Sequence, residues 1–217
     1  MKKEYILFDL DGTLTDSAPG IINSLMYAFE KLDFKVESRE ELRAFIGPPL
    51  TDMMMEKYGF SFEKATQGLN FYREYFREKG IFENSVYDGI PNVLSALQSK
   101  GYKLLLATSK PEEFAKRIMD RFNLAKYFDF IGGSDMAGTR GSKSAVIEYV
   151  MANCGITDAS KCIMVGDREQ DVVGAGKFGI ETVGVLYGYG SREELENAGA
   201  AYIAENVDEL YKILINV

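Results

Sequence analysis

The chain has 217 residues, 46% of them hydrophobic, and a formal net charge of −8. That is enough apolar material for a substantial core, alone or with a smaller attached domain, and it argues against wholesale disorder. The acidic balance speaks against a nucleic-acid-binding protein, and the complete lack of histidine removes histidine-ligated zinc, the Ser-His-Asp triad and the Cys-His dyad.

Residues 1–9 return to charge before any long apolar stretch, so no secretion signal is read there, and no segment reaches membrane-spanning length. Two cysteines, Cys154 and Cys162, make neither a disulfide framework nor a zinc site. Together these features predict a cytoplasmic protein in a reducing compartment.

Tyr5-Ile-Leu-Phe8 is a short apolar run without alternation, which predicts a strand buried on both faces. It runs into Asp9-Leu-Asp-Gly-Thr-Leu-Thr-Asp16. Asp16 or Ser17 then caps a helix with Pro19 in its first turn and Ile22, Met26 and Phe29 along one stripe. Up to about residue 82 the pattern is helical only. Leu42, Phe45 and Ile46 form one stripe, broken at Gly47-Pro-Pro49, and the segment from about Glu63 to Lys79 aligns Leu69, Tyr72 and Phe76. Residues 16–82 are therefore expected to form an inserted all-helical domain, and residues 1–15 with 83–217 the core, with hinges near Thr15–Ala18 and Phe82–Val86.

After the insert, strands and helices alternate. Val93, Leu94 and Leu97 mark a helix closed by Lys100-Gly101. Lys103–Thr108 is a second buried strand, and Pro111 starts a helix with Phe114, Ile118 and Phe122 on one side. Phe128–Ile131 is a strand ending in Gly132-Gly133, read as a turn. Lys143–Ala152 is helical, Cys162–Val165 a strand, and Val172, Val173 and Ala175 belong to a short helix. Glu181–Leu186 is a strand, Ser191-Arg-Glu-Glu194 a helix-capping pattern, Ala201–Ile203 an edge strand and Val207–Ile215 the last helix. Gly138 and Gly188-Tyr-Gly190 are read as turns. The fold class is α/β, a Rossmann-like parallel sheet with helices on both faces and an inserted helical cap.

Open parallel sheets bind ligands at the carboxyl ends of their strands. Asp9, Asp11, Thr108 and Asp167 come off such ends, and Lys143 follows one through a loop. In extended geometry Asp9 and Asp11 share a face, and crowded carboxylates call for a hard cation such as magnesium; a solvated Asp-Gly turn is the plainer alternative. Asp167 and Asp171 lie four apart at a helix start, where acidic residues are also favoured by the helix dipole alone. Thr108 or Ser109 offers a hydroxyl and an N–H to a phosphate oxygen, or serves as an N-cap. Lys143 in a first helical turn is unfavourable unless an anion is nearby. The stripe Tyr72, Tyr75 and Phe76 is read as helix packing.

Asp9-Leu-Asp-Gly-Thr-Leu-Thr-Asp-Ser17 resembles the first motif of the haloacid dehalogenase-like hydrolase superfamily. Thr108-Ser109 is similar to the second motif, Lys143 to the third, and Gly166-Asp-Arg-Glu-Gln-Asp171 to the fourth. Order and spacing fit across essentially the whole chain, and residues 16–82 look like the helical cap of the phosphoglycolate phosphatase-like branch, some members of which are nucleotidases. The resemblance implies that Asp9 is the nucleophile that becomes an aspartyl-phosphate and that Asp11 is the general acid and then base. It assigns phosphoryl oxygens to Thr108, Ser109 and Lys143, and Mg2+ to Asp9, Asp11 (through its backbone carbonyl), Asp167 and Asp171. The function expected is a magnesium-dependent phosphatase acting on a small phosphate ester, phosphoglycolate-like. The alternatives are a 5'-nucleotidase-type phosphatase, a phosphomutase and a non-enzymatic module. No nucleic-acid or membrane partner is expected, and the protein is read as monomer or homodimer.

Overall fold

Residues 3–217 are described by the structure, a computed structural model; Met1 and Lys2, which head the segment read as lacking a secretion signal, lie outside them. The strands are β1 (Tyr5–Phe8), β2 (Thr15–Asp16), β3 (Ser85–Val86), β4 (Lys103–Pro111), β5 (Phe130–Ser134), β6 (Cys162–Gly166), β7 (Glu181–Val185) and β8 (Tyr202–Ala204). The helices are α1 (Ala18–Lys31), α2 (Leu50–Tyr58), α3 (Phe62–Glu78), α4 (Ile90–Ser99), α5 (Glu112–Arg121), α6 (Lys143–Asn153), α7 (Glu169–Gly176), α8 (Arg192–Ala198) and α9 (Val207–Leu214). The chain divides into two compact units, Met1–Thr15 with Val86–Val217 and Asp16–Ser85.

The first unit is built on a six-stranded sheet in the order β5-β4-β1-β6-β7-β8. Its pairings are parallel throughout. The short apolar runs account for the central strands, since Ile6, Leu7, Phe8, Leu104, Leu106, Ile163 and Met164 are fully buried and leave neither face to water. On one face Leu7, Leu105, Ala107 and Met164 pack with Val146, Ile147 and Val150 of α6 and Ala175 of α7. Each valine, leucine, isoleucine or methionine among them contributes about 1.5–3 kcal/mol by leaving water. Cys162 joins this cluster and both cysteines are free thiols. Register places Phe8 opposite Leu106 and Val165, so the residues that follow these three emerge along one edge.

Two local expectations change. Gly132 and Gly133 lie within β5 rather than in a turn after it. A Cβ on Gly132 would stand 2.4 Å from Val150 Cγ2, so the strand uses glycine where helix α6 packs close. The second strand runs on to Pro111, with its register to β5 shifting between Thr108 and Pro111.

The second unit is helical, built of α1, α2 and α3, with a 3-10 segment over Glu40–Phe45 between α1 and α2. Helix α2 begins directly after Gly47-Pro-Pro49, where the apolar stripe is too short to signal it. Phe29 of α1 meets Phe45, Tyr58 and Phe60 edge-on, which forms an aromatic centre. Tyr72 and Phe76 stack at 5.4 Å, in keeping with their reading as packing residues. Residues 83–85 go with this unit because Glu83 is bonded into it. Its carbonyl accepts from Gly20 N–H at 2.9 Å, and its carboxylate from Asn23 Nδ2 at 2.9 Å and the Tyr75 hydroxyl at 3.1 Å. Among the described residues no helix is long and apolar enough to cross a membrane.

Candidate active site

The loop after β1 winds around one carbonyl. Leu10 O accepts from the N–H groups of Thr13, Leu14 and Thr15 at 3.3, 2.9 and 3.0 Å, and Gly12 N–H donates to Thr15 O at 2.8 Å. This turn fixes Asp9 and Asp11 on either side of Leu10. Asp9 is buried, with its N–H donating to Val165 O of β6 at 2.9 Å.

The two carboxylates then take different partners. Asp9 Oδ1 lies 2.8 Å from Lys143 Nζ, whereas Asp11 Oδ2 lies 2.8 Å from Lys110 Nζ. Lys143 is the first residue of α6, behind the Ser142 cap that accepts from Ala145 N–H. Its ammonium also lies 2.8 Å from Asp171 Oδ1 and donates to Ala107 O at 2.9 Å. The anion that the sequence demanded of a lysine in a first helical turn is thus a pair of buried aspartates. Burial opposes the charge on Lys143, but Asp171 and Asp9 more than offset it and hold its pKa above the ordinary lysine value.

Asp171 is the third residue of α7, and its Oδ2 accepts from Arg168 N–H at 3.1 Å, a capping-box bond. The helix-start preference and the site role therefore coincide in one side chain. Burial raises its pKa to about 6, with Lys143 pulling it down and Asp9 pushing it up. Asp167 precedes the helix and is fully buried. Its Oδ1 accepts from the Thr13 hydroxyl at 3.2 Å and its Oδ2 from Tyr189 N–H at 2.8 Å. Burial, then the charges of Asp171 and Asp9, raise its pKa well above the usual carboxylate value, and the Tyr189 N–H only partly counters them.

Two glycines cradle the Asp167 carboxylate. A Cβ on Gly12 would lie 2.2 Å from Asp167 Oδ2, and one on Gly188 would lie 2.4 Å from Asp167 Cβ. Gly12 also has φ +82°, a left-handed backbone that a side chain disfavours. Gly188-Tyr-Gly190, read from sequence as a plain turn, is thus one wall of the site. Tyr187 beside it donates its hydroxyl to Thr13 O at 3.1 Å.

Asp9, Asp167 and Asp171 offer oxygens that lie within 4.8 Å of one another. Three buried carboxylates face a single lysine, which leaves excess negative charge in a low-dielectric place. An all-oxygen donor set of this kind fits a hard divalent cation, whose charge would remove the strain recorded in the raised pKa values. The carboxylate of Asp11 is not among the three. Thr108 is buried at the end of the same strand row, and its Oγ1 accepts from Lys110 N–H at 3.2 Å, with Ser109 half-buried next to it. Neither is a helix cap, because Pro111 holds that position before α5. Sequence reasoning missed Lys110, Thr13 and the Gly188–Gly190 wall. Lys110 carried no sequence signal, because the strand reads as ending at Thr108 and only the structure carries it on to Pro111.

The haloacid dehalogenase-like hydrolase family matches residues 6–185 of the chain. The chain is 41% identical over 209 residues to a 5'-nucleotidase of Pseudomonas aeruginosa, a match covering 96% of this chain and 94% of the relative. It is 35% identical over 213 residues to the tyrosine-protein kinase PtkA of Mycobacterium tuberculosis, with coverage of 97% and 72%. To a phosphoglycolate phosphatase of Vibrio parahaemolyticus it is 26% identical over 219 residues, with coverage of 97% and 96%. The crystal structure of a predicted phosphatase from Clostridium acetobutylicum superposes with a TM-score of 0.97 at 50% identity, covering all of both chains. Sheet, inserted helical region, aspartate cluster and family match agree: the chain belongs to the haloacid dehalogenase-like hydrolases, in the phosphoglycolate-phosphatase-type branch with an inserted cap.

Proposed function

We propose that the protein is a magnesium-dependent phosphatase of the 5'-nucleotidase type, working through an aspartyl-phosphate on Asp9. The observation that carries the chemistry is the arrangement of Asp9 beside Lys143 within the buried aspartate cluster, with Asp11 held apart on a second lysine. The nucleotidase reading replaces the phosphoglycolate expectation because similarity is greater to the Pseudomonas nucleotidase, at 41% identity, than to the Vibrio phosphoglycolate phosphatase, at 26%.

In this reading an oxygen of Asp9 attacks phosphorus and the bond from phosphorus to the ester oxygen breaks. Asp11 gives its proton to that departing oxygen. It then takes a proton from the water that attacks the aspartyl-phosphate, which returns Asp9 and releases phosphate. Lys143 offsets charge on Asp9 and on the phosphoryl group, which a carboxylate nucleophile would otherwise repel. Thr108, Ser109 and nearby N–H groups hold phosphoryl oxygens. Asp9, the backbone carbonyl of Asp11 and Asp167 would hold magnesium, with Asp171 in support, and the ion would supply neutralisation of the phosphoryl charge.

The test is phosphate release, with magnesium, from nucleoside 5'-monophosphates and from phosphoglycolate, for wild type and Asp9→Asn. The nucleotides are expected to show the higher kcat/KM, and Asp9→Asn no turnover. Preference for phosphoglycolate would overturn the nucleotidase assignment. Activity unchanged in Asp9→Asn would overturn the covalent mechanism, and return of an isomer without free phosphate would indicate a mutase.

A further inference from the structure

The site contains two buried lysines where the family resemblance accounts for one. Lys143 is fully engaged, with Asp9 Oδ1, Asp171 Oδ1 and Ala107 O around its ammonium. Lys110 lies on β4 and its side chain is 5% exposed; its ammonium stands 2.8 Å from Asp11 Oδ2, whose own side chain is 13% exposed. The other oxygen, Asp11 Oδ1, is buried and has no hydrogen-bond partner among the described residues. A buried ammonium is costly to place, and here its position is over-determined. The backbone N–H of Lys110 donates to Thr108 Oγ1 at 3.2 Å, and the strand register shifts over this stretch. On the facing side the backbone of Asp11 is set by the bridge between Asp11 and Thr15.

We propose that Lys110 is a positioning residue for the acid–base step: by holding Asp11 Oδ2, it presents Oδ1 as the oxygen that passes the proton. The proposal deepens the phosphatase reading and rests on it. A carboxyl group hinged about its Cβ can turn either oxygen towards a departing ester oxygen or away from it. With the carboxyl protonated on Oδ1, the Lys110 ammonium donates to Oδ2 and removes that freedom before substrate arrives, the sense in which catalytic groups are pre-organised. The same contact ties the motif that carries Thr108 to the one that carries Asp11, so phosphoryl-holding and proton-transferring groups keep one spacing.

The consequence is specific to the leaving group. An alkoxide such as the 5'-oxygen of a nucleoside needs the Asp11 proton as the P–O bond breaks, whereas p-nitrophenolate departs without one. The experiment compares kcat/KM, which reports steps up to leaving-group departure and excludes hydrolysis of the aspartyl-phosphate. It uses adenosine 5'-monophosphate and p-nitrophenyl phosphate with wild type, Lys110→Met and Lys110→Arg. Lys110→Met is expected to lose about a hundredfold on the nucleotide, the lower range for general acid catalysis, and about tenfold less than that on the nitrophenyl ester. Lys110→Arg, which can still pair with a carboxylate, recovers part of the nucleotide loss. Equal loss on both esters would overturn the proposal in favour of a phosphate-holding role, and no loss on either would overturn it outright. A crystal structure of Lys110→Met supplies a readout independent of activity. The Asp11 carboxyl is expected to leave its wild-type rotamer, and an unmoved Asp11 would overturn the positioning role. A wild type inactive on both esters would sink the phosphatase reading, with the Asp11 rotamer still deciding the role of Lys110.

Discussion

With divalent cations chelated, the folded protein is expected to lose stability as pH rises from 5 to 7.5. The chain has no histidine, so no side chain with an ordinary pKa changes charge in the middle of this range. What titrates there is the buried cluster. Asp171 holds its proton up to about pH 6 in the folded state, against about 3.9 in an unfolded chain. Between those values the folded state binds the proton that the unfolded state has released, so each rise in pH favours unfolding. The full effect of the two-unit gap is about 3 kcal/mol, of which about 1.4 kcal/mol falls between pH 5 and 7.5. Asp167, raised in the same sense, adds to it. The assay is urea unfolding in EDTA followed by far-UV circular dichroism, since the chain has no tryptophan. Wild type is compared with Asp171→Asn, and each is repeated with saturating magnesium. The ion binds ionised carboxylates, so the decline should flatten or reverse when it is present. Stability that is flat or rising with pH in EDTA would refute the reasoning, as would a slope in Asp171→Asn no smaller than that of wild type.

Gly12→Ala should destabilise the protein by more than the 1–2 kcal/mol expected for left-handed backbone alone, because the new methyl meets Asp167, which is held in place by Thr13 and Tyr189. Its magnesium affinity, measured by isothermal titration calorimetry, should fall about 10–100-fold, and an unchanged affinity would count against the cradle. Lys143→Met leaves the aspartate cluster without its cation and should cost about 3–5 kcal/mol in EDTA at pH 7.5. Magnesium should restore part of this in the same urea titration, and equal losses with and without the ion would contradict a shared electrostatic origin.

The sheet was legible because its strands are short, apolar and buried on both faces, so Tyr5–Phe8 and Cys162–Val165 carry a signal that needs no partner to be read. The aspartates were legible for a related reason: charge directly after such a run has few structural excuses. Lys143 could be singled out because its position conflicts with the helix dipole. Lys110 has no such conflict, for a lysine in an extended strand end is ordinary until the loop after β1 brings Asp11 to it. Gly132 and Gly188 look like turn formers, and only packing reveals that each makes room for a side chain from elsewhere, Val150 in one case and Asp167 in the other. In the helical unit, α2 escaped notice since Leu50–Tyr58 buries a single residue, Met54, and so shows little periodicity.

The central place of β1 has a consequence for how the protein is made. Its sheet neighbours are β4, about 100 residues later, and β6, about 160 residues later. At a synthesis rate of about 5–20 residues per second, Tyr5–Phe8 waits about 5–20 s for its first partner and about 8–30 s for its second. The contiguous helical segment Asp16–Ser85 is complete before either arrives. A growing chain thus has the whole insert synthesised ahead of an unfinished sheet, and β1 remains without its strand partners meanwhile. The three carboxylates can gather only once residues 167 and 171 have emerged, so the cluster is completed late in synthesis.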